Sequence, residues 1–255
     1  MARLRTGKRY SLILITTVLV GCAQSPIKQA WVTDNDNFWR NYRQAGVWLE
    51  KDGQRWKFIP GSTLTYLMRA KDRIEEQSGV KAHLGIVETD HPNAFSSVHN
   101  GKNYVAFSVN FLELFGRDPD AIATTMGHEY AHLGLGHIAQ HSDRESTGRA
   151  AGVAVGVVAS LAGIPMGGTL ADLGTTAVIS SYSRDEEREA DERGLEWAAR
   201  AGFNPCGQVR VVDALYGLGP GNLPFLSSHP GFKERSEAAE RHAIKTTGRR
   251  CIPSQ

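Results

Sequence analysis

Apolar residues recur at helical spacing between residues 61 and 79, where Leu64, Leu67, Met68 and Ile74 share one face. Ser62 or Thr63 is placed to cap this helix and Gly79 to end it. Two short apolar runs, AHLGIVE (82–88) and NYVAFSV (103–109), predict strands, and the segment between them carries turn chemistry with Asn100-Gly101 as a hairpin signal. Asp118 and Pro119 form the N-cap and first turn of a helix that runs into TTMGHEYAHLGLGH (124–137). Further helices are expected at 183–201, 206–217 and 231–244. Many helices with few strands predict an α+β domain.

Two apolar stretches stand outside this pattern. The first, SLILITTVLVG (11–21), follows Arg3, Arg5, Lys8 and Arg9 and reads as a secretory signal, being too short to span a bilayer comfortably. It ends in Leu19-Val20-Gly21-Cys22, which resembles the lipobox of bacterial lipoproteins and implies lipidation of Cys22. Ala23, rather than an aspartate, follows, so the outer membrane facing the periplasm is the expected destination. The second stretch, 150–180, is rich in glycine and alanine. It is expected to form apolar helices broken at Gly163-Ile164-Pro165, packed beside a cleft as a lid.

Loss of residues 1–21 removes four positive charges and no acid, taking the formal net charge from +2 to −2. No nucleic-acid surface is implied. The length of 255 residues suits one catalytic domain (61–255) behind the signal (1–21) and a lipidated tether with a Trp-rich segment (22–60). Trp31, Trp39, Trp48 and Trp56, four of the five tryptophans, lie in that segment. They are expected to pack on the domain, with membrane-interface contact as the alternative. The remaining cysteines, Cys206 and Cys251, form an even pair for an oxidising compartment. A disulfide between them would be worth about 4 kcal/mol on the chain-entropy model; two separate buried thiols are the alternative.

The histidines sort by helical geometry. At about 100° per residue, His132 lies about 40° from His128, whereas His137 and His141 come out on the far side. Only His128 and His132 then converge on one ion, with Glu129 flanking them as a general base for water. A catalytic zinc takes three protein ligands. The helix at 183–201 offers Glu187, on a face shared with Ala190, Asp191, Gly194, Leu195 and Ala198, while Glu186, Glu189, Glu192 and Glu196 fall largely elsewhere. Glu187 is thus the expected third ligand, and Asp191, one turn on, the acceptor for a ligand imidazole N–H.

GHEYAHLGLGH, YSRDEEREADERG, AGFNP and HPGFKER, in this order, resemble the HtpX-like and CAAX-prenyl-endopeptidase family of gluzincin zinc metallopeptidases over residues 62 to 242, with NAF (93–95) a further match. The resemblance implies a zincin-like α+β domain, mostly helical with a small sheet, and one zinc per chain. It assigns His128 and His132 as ligands, Glu129 as base, Glu187 and Asp191 as the E-x-x-x-D pair, and His229 as a histidine near the zinc. The expected layout is that of a compact secreted lipoprotein, with neither the membrane spans nor the C-terminal helical repeats of other members.

The expected reaction is hydrolysis of peptide bonds in misfolded or unassembled envelope proteins. His229, with Tyr182 and Arg235 behind it, is the candidate oxyanion donor, or else His229 occupies the fourth zinc position and inhibits. The strand at 103–109 is expected to offer its edge to an extended substrate. The rival expectation is a zinc-containing periplasmic chaperone or assembly factor without proteolysis.

Overall fold

A computed structural model describes residues 29–32, 37–99, 101–140, 182–219 and 229–251. The chain runs β1 (Gln29–Val32), α1 (Asn37–Tyr42), β2 (Val47–Lys51), β3 (Gln54–Ile59), α2 (Gly61–Ser78), β4 (His83–Glu88), β5 (Ala94–His99), β6 (Lys102–Ser108), α3 (Val109–Phe115), α4 (Pro119–Gly134), α5 (Arg184–Arg200), α6 (Cys206–Gly217) and α7 (Phe232–Thr247). The signal, Cys22, His141 and the 150–180 stretch lie outside the described residues.

The main sheet has the order β1-β4-β6-β5, with β4 and β6 parallel and both outer pairs antiparallel. Ala94–His99, expected to be a turn, is therefore a strand. Its pattern is obscured because Ser96 and Ser97 are polar yet buried, while Phe95 packs with Val87 and Ala106. Since β6 is held on both sides, the edge expected at 103–109 belongs, among the described residues, to β5 instead.

Residues before 61 join the same body. β1 pairs with β4, and the buried Trp39 donates its indole N–H to the Leu84 carbonyl at 3.0 Å. β2 and β3 form a separate two-stranded hairpin. Neither Ser62 nor Thr63 caps α2: Pro60 occupies the N-cap, and the Thr63 hydroxyl donates to the Gly116 carbonyl at 2.9 Å. Gly79 ends α2 as expected, in a left-handed conformation (φ 71°) with its N–H bonded to Glu75.

α4 is the central helix, buried from Ala121 to His132 among α2, α5, α6 and β5. Asp118 caps it by accepting from the N–H groups of Asp120 and Ala121. On the α2 side, the Tyr130 hydroxyl donates to Glu75 at 2.9 Å, and Lys71 pairs with the same carboxylate at 2.6 Å. α5 begins with a capping box between Ser183 and Glu186, which frees the next residue, Glu187, to face inward. Cys206 and Cys251 are disulfide-bonded, tying the start of α6 to the chain beyond α7. Among the described residues no helix is long and apolar enough to cross a membrane.

Candidate metal centre

His128 and His132 lie one turn apart on α4, with their Nε2 atoms 3.0 Å from each other. α5 brings Glu187 against both, its Oε1 3.3 Å from His132 Nε2 and its Oε2 3.5 Å from His128 Nε2. His229, just ahead of α7, joins from the other side, with Nδ1 3.2 Å from His128 Nε2 and 2.9 Å from Glu187 Oε1. The four buried side chains each offer one ligand atom, all within 4.8 Å of one another.

Hydrogen bonding outside the cluster decides what it can hold. His128 Nδ1 lies 2.9 Å from Asp191 Oδ1 and donates to it, leaving a lone pair on Nε2. His132 Nδ1 lies 2.9 Å from His137 Nδ1, and His137 Nε2 lies 3.4 Å from Glu189. With His132 donating to His137, and His137 to Glu189, His132 Nε2 likewise turns a lone pair inward. Two lone pairs 3.0 Å apart repel unless a cation lies between them. Zinc bonds of about 2.0–2.1 Å in a tetrahedron place ligand atoms roughly 3.3 Å apart, close to the observed spacings. The donor set fits zinc.

His137 is thus not on the back of the helix. α4 ends at Gly134, and Gly136 turns the chain through a left-handed residue (φ 74°), returning His137 to His132. Arg235, a candidate oxyanion donor by sequence, stands behind the candidate ligands, bound to Asp191 and Glu187. It donates to Asp191 at 2.7 and 2.8 Å and lies 3.1 Å from Glu187 Oε2. Gln208 of α6 adds a third donor to Asp191 at 2.5 Å. Glu129 is fully buried beside the cluster: Ser96 of β5 donates to its Oε2 at 2.9 Å, while Oε1 has no hydrogen-bond partner among the described residues and lies 3.6 Å from His229 Nε2. Tyr182 stacks on His132 with ring centroids 3.7 Å apart.

Burial would raise the Asp191 carboxyl, but Arg235 and His128 outweigh it and hold the group down at about 2. Glu187 is likewise held well below the carboxylate range, with His229, Arg235 and His128 overcoming the cost of burial. Burial pushes His132 well below the usual imidazole value, keeping it neutral as a ligand must be. His229 is drawn up against its burial by Glu187 and Glu129. Tyr182 is pushed up by burial and by the same two carboxylates, so its hydroxyl keeps its proton.

Sequence reasoning overlooked Ser96, Gln208 and the role of His137. For His137 a signal existed, the two glycines of GLGH that stop the helix. Ser96 and Gln208 carried none, because their partners are remote in sequence.

The peptidase family M48 model matches residues 65–243, spanning every side chain of the centre. The chain belongs to peptidase family M48. Its domain is the zincin-like α+β domain that the resemblance implied, and the cluster is the kind of site at which these metallopeptidases use zinc. It is similar to the metalloprotease LoiP of Escherichia coli K12, 26% identical over 191 residues, which cover 65% of this chain and 76% of LoiP. The metalloprotease YcaL of the same organism is 29% identical over 117 residues, 46% of each chain. The beta-barrel assembly-enhancing protease of that strain is 28% identical over 141 residues, 52% of this chain. The chain thus spans about half of YcaL and just over a quarter of the third relative (46% and 28%).

Proposed function

We propose that the chain is a zinc-dependent endopeptidase of the bacterial cell envelope. In this reading it is lipid-anchored through Cys22 to the outer membrane, faces the periplasm and cleaves misfolded or unassembled envelope proteins. The observation that carries the catalytic reading is Glu129. It is a fully buried carboxylate with one oxygen fixed by Ser96 and the other, Oε1, without a hydrogen-bond partner among the described residues, beside three proposed ligand residues. A purely structural zinc site has no use for such a group. The lipobox and the similarity to a beta-barrel assembly-enhancing protease support the location.

His128, His132 and Glu187 would hold the ion, with Asp191 and His137 fixing the two imidazoles. A zinc ion held there would supply Lewis acidity to the scissile carbonyl and lower the pKa of a water. Glu129 takes the proton at Oε1 and passes it to the leaving amine. Oxyanion stabilisation falls to His229 Nε2 or the Tyr182 hydroxyl. His229 Nδ1 also stands where a fourth ligand would, so His229→Ala either abolishes cleavage or raises it. The outer strand β5, whose Ser96 reaches the base, is the strand along which an extended substrate would pair, consistent with tolerance of many sequences.

The deciding experiment compares wild type with Glu129→Gln for zinc content and for cleavage of an unfolded protein. Zinc is expected to stay and cleavage to be lost. A variant that still cleaves removes Glu129 as the base. A cellular function that survives the substitution favours the chaperone or assembly-factor reading.

A further inference from the structure

Exposed aromatic side chains concentrate on the β2–β3 hairpin. Trp48 is 45% exposed, Phe58 40% and Trp56 37%. Trp48 and Phe58 face each other across the two strands with ring centroids 5.3 Å apart. The opposite face supplies Val47, Leu49 and Ile59 to the core, so the Trp48 and Phe58 rings pack outside it. Arg55 lies over the Trp48 ring at 5.8 Å and Lys51 over Trp56 at 5.6 Å. An exposed indole topped by an arginine, as Trp48 is by Arg55, suits the boundary between lipid headgroups and acyl chains, where indoles concentrate and basic side chains reach outward to phosphates.

The chain path adds a second argument. Trp31 of β1 stacks on Trp56 at 5.5 Å and donates its indole N–H to the Glu50 carbonyl at 3.1 Å. The polypeptide therefore enters the domain beside this hairpin. Residues 22–28 can span no more than about 25 Å, so an acyl group on Cys22 keeps the hairpin within that reach of the bilayer. Tethering at such range turns a weak contact into an occupied one.

The geometry points to the outer face of β2–β3, centred on Trp48 and Phe58, as a contact that seats the domain on a phospholipid surface. This rests on the lipid-anchored reading for its strength but not for its test. Lys51 pairs with Glu88, and Lys57 pairs with Glu113, so the rings rather than a polybasic field carry the contact. Moderate salt should leave it in place.

For the test, the full-length chain is purified as its host processes it, and its mass reports acylation at Cys22. It is then mixed with vesicles of phosphatidylethanolamine and phosphatidylglycerol, with or without brominated acyl chains. The Trp48 emission, taken as wild type minus Trp48→Phe, is expected to be lost on brominated lipid and retained on the unbrominated one. The Trp48→Ser/Phe58→Ser variant should keep its thermal stability and zinc content while its remaining tryptophan emission becomes equal on the two lipids. Equal Trp48 emission on both lipids overturns the proposal. So does a Trp48 shielded by cross-linking to a second copy or by a bound polypeptide. A mass without an acyl group removes the anchor reading, while quenching with vesicles in excess still decides the hairpin.

Discussion

Gly127 of α4 and Gly194 of α5 lie backbone against backbone: a Cβ on Gly194 would come within 2.6 Å of both the Gly127 carbonyl carbon and the His128 nitrogen. This contact lets the helix carrying His128 and His132, two proposed ligands, approach the helix carrying Glu187. Gly194→Ala must separate them, because main chain cannot yield as a side chain does. The expected loss is about 1–3 kcal/mol of stability, together with zinc. Metal analysis and thermal unfolding check this; a variant with full zinc and an unchanged melting temperature refutes the spacing argument.

Asp191 gathers three donors, from His128, Arg235 and Gln208. Asp191→Asn keeps the shape but removes the charge that balances Arg235 and fixes the His128 tautomer. Zinc affinity should fall about 10–100-fold, the usual effect of losing an acceptor behind a metal ligand. Competition with a chromogenic chelator measures it. Unaltered affinity would make Asp191 a folding residue only.

Legibility in the sequence followed the type of constraint. Periodicity alone placed Glu187, Ala190, Asp191, Leu195 and Ala198 on one face, and all are buried. The cap at Asp118 marked where α4 begins, whereas the Ser183 capping box that starts α5 emerges only in the structure. β5 escaped because burial of Ser96 is set by Glu129, which arrives from another element. His137 was misplaced by extending the helix past two glycines. Arg235 was visible as a nearby cation, but its partners lie on α5, and nothing in the periodicity of α7 names them.

His137 offers a test of the relocated residue. If it accepts from His132 Nδ1, His137→Ala leaves a buried donor unpaired and a ligand ring free to turn. Zinc affinity is expected to drop about 10–100-fold. Glu189→Gln should change it little, since that side chain is 66% exposed and 3.4 Å away. Equal effects of the two substitutions would show that the whole chain to Glu189, rather than His137 itself, holds the ligand.

Asp118 lets acid sensitivity be tested away from the metal. Its carboxylate caps α4 and accepts from Arg210 at 2.6 and 2.8 Å. Burial opposes the charge, but Arg210 and the helix N–H groups prevail and hold the carboxyl below its ordinary value. The folded pKa therefore lies below the unfolded one, near 3.9 by a rough reference value. The resulting stability is fully present above that value and is lost as pH falls through the folded pKa. Asp118→Asn keeps a capping oxygen without the charge, so it isolates this contribution. At neutral pH the variant should be less stable by about 1–2 kcal/mol, and the difference should narrow as the pH drops below about 4. Loss of zinc in acid affects both proteins alike and cancels in the comparison. Denaturant unfolding of the two across pH 2 to 7, roughly the window set by the carboxylate reference values, gives the answer. A difference that stays constant with pH would show that the Asp118–Arg210 pair contributes nothing to stability.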